Sequence, residues 1–282
     1  MNVRIVIDST ADVSAQVRER CAVVPMSIFF GDTEYIDGVT ITHREFYEKL
    51  VESDVVPTTS QASPDVFAQV YQKAVDAGEQ VVVLTVASTL SGTFQSAMIA
   101  AMDYPGDVFV VDSKTVAIGT GILAEYALEL VDKGFCAAEI AHKLSIKRDD
   151  VCIIAMLDTL EYLKRGGRIS KTVAFAGELL SIKPVVTIRD GEIVVLGKAR
   201  GSRQANNLLV KEIQAAGGVD FERPVLLGYT GLSDALLQKY IQDSAALWEN
   251  NTTELRGELI GSVIGTHAGP GAVAVAFFKK KG

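Results

Sequence analysis

Cysteine is scarce, with three in 282 residues, at positions 21, 136 and 152. They form no Cys-x-x-Cys pair and no disulfide framework. That fits a reducing, cytoplasmic setting, with each thiol read as a small buried apolar side chain. Histidine is equally sparse: His43, His142 and His267 stand alone, without metal-ligand spacing. His43 and His142 fall in charge-rich helical patterns and are expected at the surface. Neither a Gly-x-Ser-x-Gly elbow nor a Gly-x-x-x-x-Gly-Lys-Ser/Thr phosphate loop occurs, so serine-hydrolase and P-loop chemistry lack their signatures. No apolar run approaches the ~18 residues of a membrane span. Met1-Asn2-Val3-Arg4 enters a strand pattern directly, from which no signal peptide is expected. Cations are outnumbered as well, and a net charge of −8 argues against nucleic acid as the main partner.

What is present suits a soluble globular chain long enough for two domains, with 48% hydrophobic and 22% charged residues. Up to about residue 150, strands and helices alternate. Val3–Ile7, Val23–Phe30, Val81–Leu84 and Val108–Val111 read as strands. Thr42-His43-Arg44-Glu45 is a capping box ahead of the stripe Phe46, Tyr47, Leu50 and Val51. Further helices follow Ser63-Pro64, cover Gln95–Met102, end at Gly134, and run from Ala137 to Lys147. Alternation of this kind predicts a parallel sheet with helices on both faces, an α/β/α sandwich over 1–150. Beyond it, Val151–Leu157 is a strand and Asp190-Gly191 joins two β-branched runs in a hairpin. Pro224–Tyr229, Leu255–Ile264 and Ala272–Phe278 read as later strands, with helices near Gln204–Ala216 and Asp234–Trp248. This predicts a second α+β domain over 151–282 with a largely antiparallel sheet.

Hydroxyls gather after the strands. Asp8-Ser9-Thr10-Ala11-Asp12 follows the first, where open α/β sheets bind ligands, and Asp112-Ser113-Lys114 echoes it. Pro57 to Pro64 carries four more. The densest stretch, Ser88-Thr89-Leu90-Ser91-Gly92-Thr93, lies between a buried strand and a helix, where unpaired N–H groups favour an anion. An ordinary N-cap explains that loop equally well. His267 is the only large polar group in Gly261–Gly271, which holds four glycines and a proline between two strand patterns. In Leu157–Ser170, Asp158 can cap a short helix that Gly166-Gly167 ends. Arg168 then follows, with a guanidinium suited to carboxylate or phosphate oxygens. Between Lys164 and Arg203, nine Lys/Arg face three acids. That block is either a solvated face or a dock for an acidic or phosphorylated partner. Together these residues can hold an oxyanion, yet no nucleophile–base pair is evident. Binding therefore leads. The alternative is an enzyme acting on a small phosphorylated or carboxylated metabolite, with Arg168 and His267 as oxyanion binder and general acid–base.

The Asp8–Asp12, Thr58–Pro64, Ser88–Ala97, Val111–Ser113, Leu157–Ser170, Ile182-Lys183-Pro184 and Ile264–Gly271 segments resemble, in order, those of the DegV family, which includes the bacterial FakB fatty-acid-binding proteins. The resemblance covers nearly the whole chain. It implies a two-domain α/β protein enclosing one long-chain fatty acid such as palmitate, stearate or oleate, with no cofactor or metal and no catalytic residue of its own. In FakB members, a partner fatty-acid kinase phosphorylates the bound carboxylate to an acyl phosphate for phospholipid synthesis. Carried over by motif, Thr59 and Ser91 hydrogen-bond the carboxylate, His267 orients them and Arg168 sits near the head group. Ser60, Gly92 and Thr93 form a secondary head-group loop, and Arg200 and Arg203 match the region that meets the kinase. A cytoplasmic carrier without a membrane span, touching membranes transiently for lipid exchange, is the expectation.

Overall fold

The computed structural model describes residues 2–169, 182–249 and 255–280. The first part runs β1 (Asn2–Asp8), α1 (Ala15–Arg20), β2 (Cys21–Val24), β3 (Ser27–Phe30), β4 (Thr33–Ile36), α2 (His43–Glu52), β5 (Thr58–Ser60), α3 (Pro64–Asp76), β6 (Glu79–Thr85), α4 (Thr93–Ala101), β7 (Val108–Asp112), α5 (Ile118–Asp132) and α6 (Ala137–Lys147). The second part runs β8 (Val151–Met156), α7 (Glu161–Arg165), β9 (Ile182–Arg189), β10 (Glu192–Arg200), α8 (Gly201–Ala215), β11 (Leu226–Tyr229), α9 (Ala235–Asp243), α10 (Ala245–Trp248), β12 (Gly257–Leu259), α11 (Ser262–Ala268) and β13 (Val273–Phe278).

The expected α/β architecture holds. A parallel sheet has the order β2-β1-β6-β7, and a six-stranded sheet has the order β10-β9-β8-β13-β11-β12, antiparallel except for β11–β12. Successive side chains of the parallel strands feed opposite cores. Val82 and Leu84 pack with α5 and α6, while Val81 and Val83 pack with α2, α3 and α4. α5 is buried almost all round, because its cluster also takes in Leu226, Ala274 and Phe278 from the second sheet. It is the apolar seam between the two sheets. The β9–β10 turn has positive φ at both Asp190 (52°) and Gly191 (79°), as a two-residue type I′ hairpin requires.

Several sequence expectations are corrected. The strand expected over Val23–Phe30 is two strands, because Pro25 has no N–H to continue the ladder. After it the chain enters a separate antiparallel sheet, β4-β3-β5. Thr58-Thr59-Ser60 is not loop but β5, with Thr59 opposite Ile28. Thr59 thus belongs to this small sheet rather than to the edge of the parallel one. The strand expected over Leu255–Ile264 is only β12, and Ser262 opens α11, so His267 sits in a helix's last turn. Small residues allow that helix to lie against aromatic rings: a Cβ on Gly265 would come within 2.5 Å of Tyr47 Oη. Val51 is 62% exposed, outside the buried stripe of Phe46, Tyr47 and Leu50. The helix expected over Asp234–Trp248 breaks at Ser244, whose hydroxyl donates to the Tyr240 carbonyl and accepts from Trp248 Nε1. Asp158 pairs with Lys183 instead of capping α7; Thr159 Oγ1 accepts the Glu161 N–H. Cys136 is exposed at the start of α6, and Cys21 and Cys152 are only half-buried. His43 is half-buried, 3.6 Å from the buried Asp37, and burial lowers its pKa against the pull of that carboxylate. Ser170, Lys171 and Glu178 lie outside the described residues.

Candidate functional site

Four of the predicted residues line one cavity, and each arrives on a different element. Thr59 comes from β5, Ser91 from the loop before α4, Arg168 from the turn after α7, and His267 from the end of α11. Each placement has a local cause. Antiparallel pairing to β3 fixes Thr59. Ser91 is held by its N–H to the Ala87 carbonyl (3.2 Å) and by accepting the Thr93 N–H (3.3 Å). Gly166 ends α7 and Gly167 turns the chain at φ 70°, which brings the Arg168 N–H to the Leu163 carbonyl at 3.0 Å. Gly269, at φ 71°, ends α11 directly behind His267.

The polar end is a network. His267 Nε2 and Thr59 Oγ1 are 3.0 Å apart. The imidazole pKa is depressed to about 4, first by burial and then by the Arg168 charge, so the ring is neutral near pH 7. His267 Nδ1 is buried without a partner. Buried N–H groups are rarely left unpaired, which assigns the ring proton to Nε2. His267 then donates to Thr59, and the Thr59 O–H is free for a ligand oxygen. Arg168 Nε donates to the Leu90 carbonyl at 3.1 Å and Nη1 to the Gly166 carbonyl at 2.6 Å. These bonds fix the guanidinium and tie it to the loop that carries Ser91. Ser91 Oγ lies 2.9 Å from Thr93 Oγ1, and either can donate. With Thr93 donating to Ser91 rather than to the weak acceptor Met26 Sδ at 3.7 Å, the Ser91 proton is free for a ligand oxygen.

Apart from Thr10 and Thr187, the rest of the wall is apolar: Val86, Leu157, Leu163, Val186, Ile260 and Val263 among others, drawn from both sheets and α11. The space open to the centres of water-sized spheres is ≈ 120 Å³. Among the described residues, no group of three or more His, Cys, Asp or Glu converges as metal ligands, and no helix is long and apolar enough to cross a membrane.

Other predicted residues sit elsewhere. Ser60 is exposed, its hydroxyl donating to the Gln61 carbonyl at 3.3 Å. Thr93 is fully buried and supports Ser91 from behind. Gly92 provides clearance, since a Cβ there would meet Gln61 Oε1 at 1.9 Å. Arg200 and Arg203 are exposed and outside the cavity wall. Two residues at the polar end were not singled out as site residues from sequence, Thr10 in the wall and Gly166 behind it. Thr10 lines the cavity, but its hydroxyl donates to Asp8 Oδ1 at 2.5 Å and has no proton left for a ligand. Gly166 backs the imidazole, and a Cβ there would stand 2.1 Å from His267 Nδ1. The double glycine was a visible signal, although it read only as a helix end.

The profile described as "Uncharacterised protein, DegV family" matches residues 2–280. The chain belongs to the DegV family. A DegV domain-containing protein of Caldanaerobacter subterraneus is 35% identical, over 99% of both chains. Among solved structures, a DegV protein from Thermus thermophilus, described by its fatty-acid binding, superposes with a TM-score of 0.87 at 33% identity, covering 99% of this chain and 100% of the other. A stearic-acid-binding protein from Eubacterium ventriosum superposes at 0.85 and 26% identity, covering 99% of each chain. The Thermus DegV protein shares the pairing of a parallel with a largely antiparallel sheet.

Proposed function

We propose that the protein is a fatty-acid carrier that encloses one long-chain acid and presents its carboxylate at the Thr59–Ser91–Arg168–His267 end of the cavity. The supporting observation is the cavity's polarity: one hydrogen-bonding end with a fixed cation, and apolar walls elsewhere. Each tail methylene taken from water contributes about 0.8 kcal/mol, so the tail supplies most of the affinity. Hydroxyls and guanidinium then offset the cost of burying the anion. The finer reading is that a partner kinase phosphorylates the presented carboxylate, giving an acyl phosphate for phospholipid synthesis. Arg200 and Arg203 are its docking cations.

An enzyme acting on a small polar metabolite fits less well. A ring titrating at about 4 is poorly matched to general acid–base work near neutrality, and Ser91 bonds Thr93 rather than the imidazole. Native mass spectrometry of the purified protein, followed by organic extraction, separates the two readings. One co-purified long-chain acid per chain is expected. A polar metabolite in its place, or a cavity that fatty acid cannot fill on titration, contradicts the carrier.

A further inference from the structure

Part of the cavity wall is shared with a second space of different character. Leu157, Ala155 and Ile153 line the cavity at alternate positions along and just beyond β8, whereas Val151 lines a different space. β9 repeats the transition. Val186 faces the cavity alone, Thr187 and Ile188 line both spaces, and Arg189 and Asp190 line only the second. That second space is a groove of ≈ 470 Å³ by the same measure, bordered by Lys114, Arg148, Arg189 and Lys279, with Asp149, Asp190 and Glu212 as its acids and with Cys152, Ile154 and Leu196 on its floor. Lys114 is paired with Asp149 at 3.0 Å, and Arg148 Nη1 donates to the Asp112 carbonyl at 2.6 Å. Arg189 and Lys279 have no ion-pair partner among the described residues. Thr187 Oγ1 donates to the Ile153 carbonyl at 2.7 Å, which pins this part of β9 against β8. An apolar cavity and a charged groove are therefore separated by the Thr187–Ile188 pair.

We propose that Ile188 is the end-stop of the acyl cavity and sets the longest chain it accepts. The proposal rests on the fatty-acid reading above. Affinity gains roughly fourfold per methylene while the tail has apolar wall to cover. Past Ile188 a methyl terminus would enter a wet groove rimmed by charges and gain much less per methylene. Removing the isoleucine side chain extends the cavity toward Arg189. A tail that carries a second carboxylate at its far end then finds a cation instead of an apolar wall.

The test titrates delipidated wild type, Ile188→Ala and Ile188→Phe with saturated acids of increasing length and with the matching α,ω-dicarboxylic acids. In wild type, affinity should climb with length to a turning point, and diacids should bind at least tenfold more weakly than monoacids. Ile188→Ala should move the turning point to longer chains and narrow the diacid penalty; Ile188→Phe should move it to shorter ones. A loosened fold would instead lower affinity at every length. An unchanged turning point in both variants, or wild type binding diacids as well as monoacids, overturns the end-stop. Failure of wild type to bind any acid would be a separate result, removing the fatty-acid reading itself.

Discussion

His267 is gripped on two sides, by the Thr59 hydroxyl at Nε2 and by the bare Cα of Gly166 at Nδ1. Gly166 has a negative φ of −71°, which alanine tolerates, so Gly166→Ala acts only through its methyl group. That methyl must push the ring off Thr59, and fatty-acid affinity should fall about tenfold, as for loss of one hydrogen bond to a charged ligand. Gly92→Ala meets only the flexible end of Gln61, which can swing away, and should cost under threefold. Equal losses in the two variants, measured by calorimetry, would contradict the assigned role of Gly166. The same ring sets a pH dependence. Its pKa is about 4 when folded and near 6.5 when unfolded, so between those values only the unfolded chain takes up the proton. Stability therefore falls as pH drops from 6.5 toward 4, by at most roughly 3 kcal/mol, and this cost is constant below. Asp8, Asp12 and Asp37, whose pKa values burial raises, work in the opposite direction. The difference between wild type and His267→Gln isolates the histidine. In urea unfolding, wild type should lose stability relative to the variant across pH 6.5 to 4, and parallel curves would show that the ring is not desolvated.

α11 delivers His267 to the site, and aromatic residues of α2 hold that helix in place. Tyr47 Oη donates to the Ile260 carbonyl at 2.9 Å, and Gly265 leaves room for the Tyr47 and Phe46 rings. Tyr47→Phe should cost about 1 kcal/mol, the worth of one buried hydrogen bond. Gly265→Ala overpacks the contact and should cost about 1–3 kcal/mol. Because the new methyl meets the hydroxyl first, the double variant should lose less than the sum. Strict additivity in chemical denaturation would place the two contacts apart. This element also marks where sequence stopped being informative. Periodicity resolved the long, strongly patterned pieces: α3, α5, α6, the parallel strands β1, β6 and β7, and the Asp190-Gly191 hairpin. It failed where tertiary packing outweighs local preference. Glycine-rich Gly261–Gly271 reads as turns between strands until the rings of α2 are known. β5 is only three residues long and exists because β3 offers it an edge. The site residues were legible as motifs, since hydroxyls after strands and an arginine after a double glycine are local features. Their convergence was expected only through the family resemblance, because local pattern alone does not bring together Thr59 and His267, 208 positions apart. The cavity wall was not legible, since a residue facing a ligand and one facing a core obey the same alternation.

For the molecule as a whole, charge and cavity divide the work. The basic block between Lys164 and Arg203 is not a single patch. Lys164 and Arg165 are balanced by Glu161, Lys183 pairs with Asp158, and Arg168 lines the cavity. Arg200 and Arg203 stay exposed, at the end of β10 and the start of α8. Surface charge of this kind acts on encounter more than on ligand retention. The double variant Arg200→Ala/Arg203→Ala should keep its bound acid while a cognate kinase phosphorylates it severalfold more slowly, the gap widening at low salt. Loss of the lipid from that variant would place these arginines in the pocket instead. The central claim is that hydroxyls from two separate elements hold the carboxylate, and calorimetry after delipidation tests it most directly. Wild type, Thr59→Ala and Ser91→Ala are each titrated with a long-chain acid and with the alcohol of equal length. A hydrogen bond to a charged group contributes about 1.5–3 kcal/mol, so each variant should bind the acid roughly tenfold or more weakly and lose much of the acid-over-alcohol preference. Wild-type affinity with the full preference retained in both variants would contradict it and leave Arg168 as the anchor.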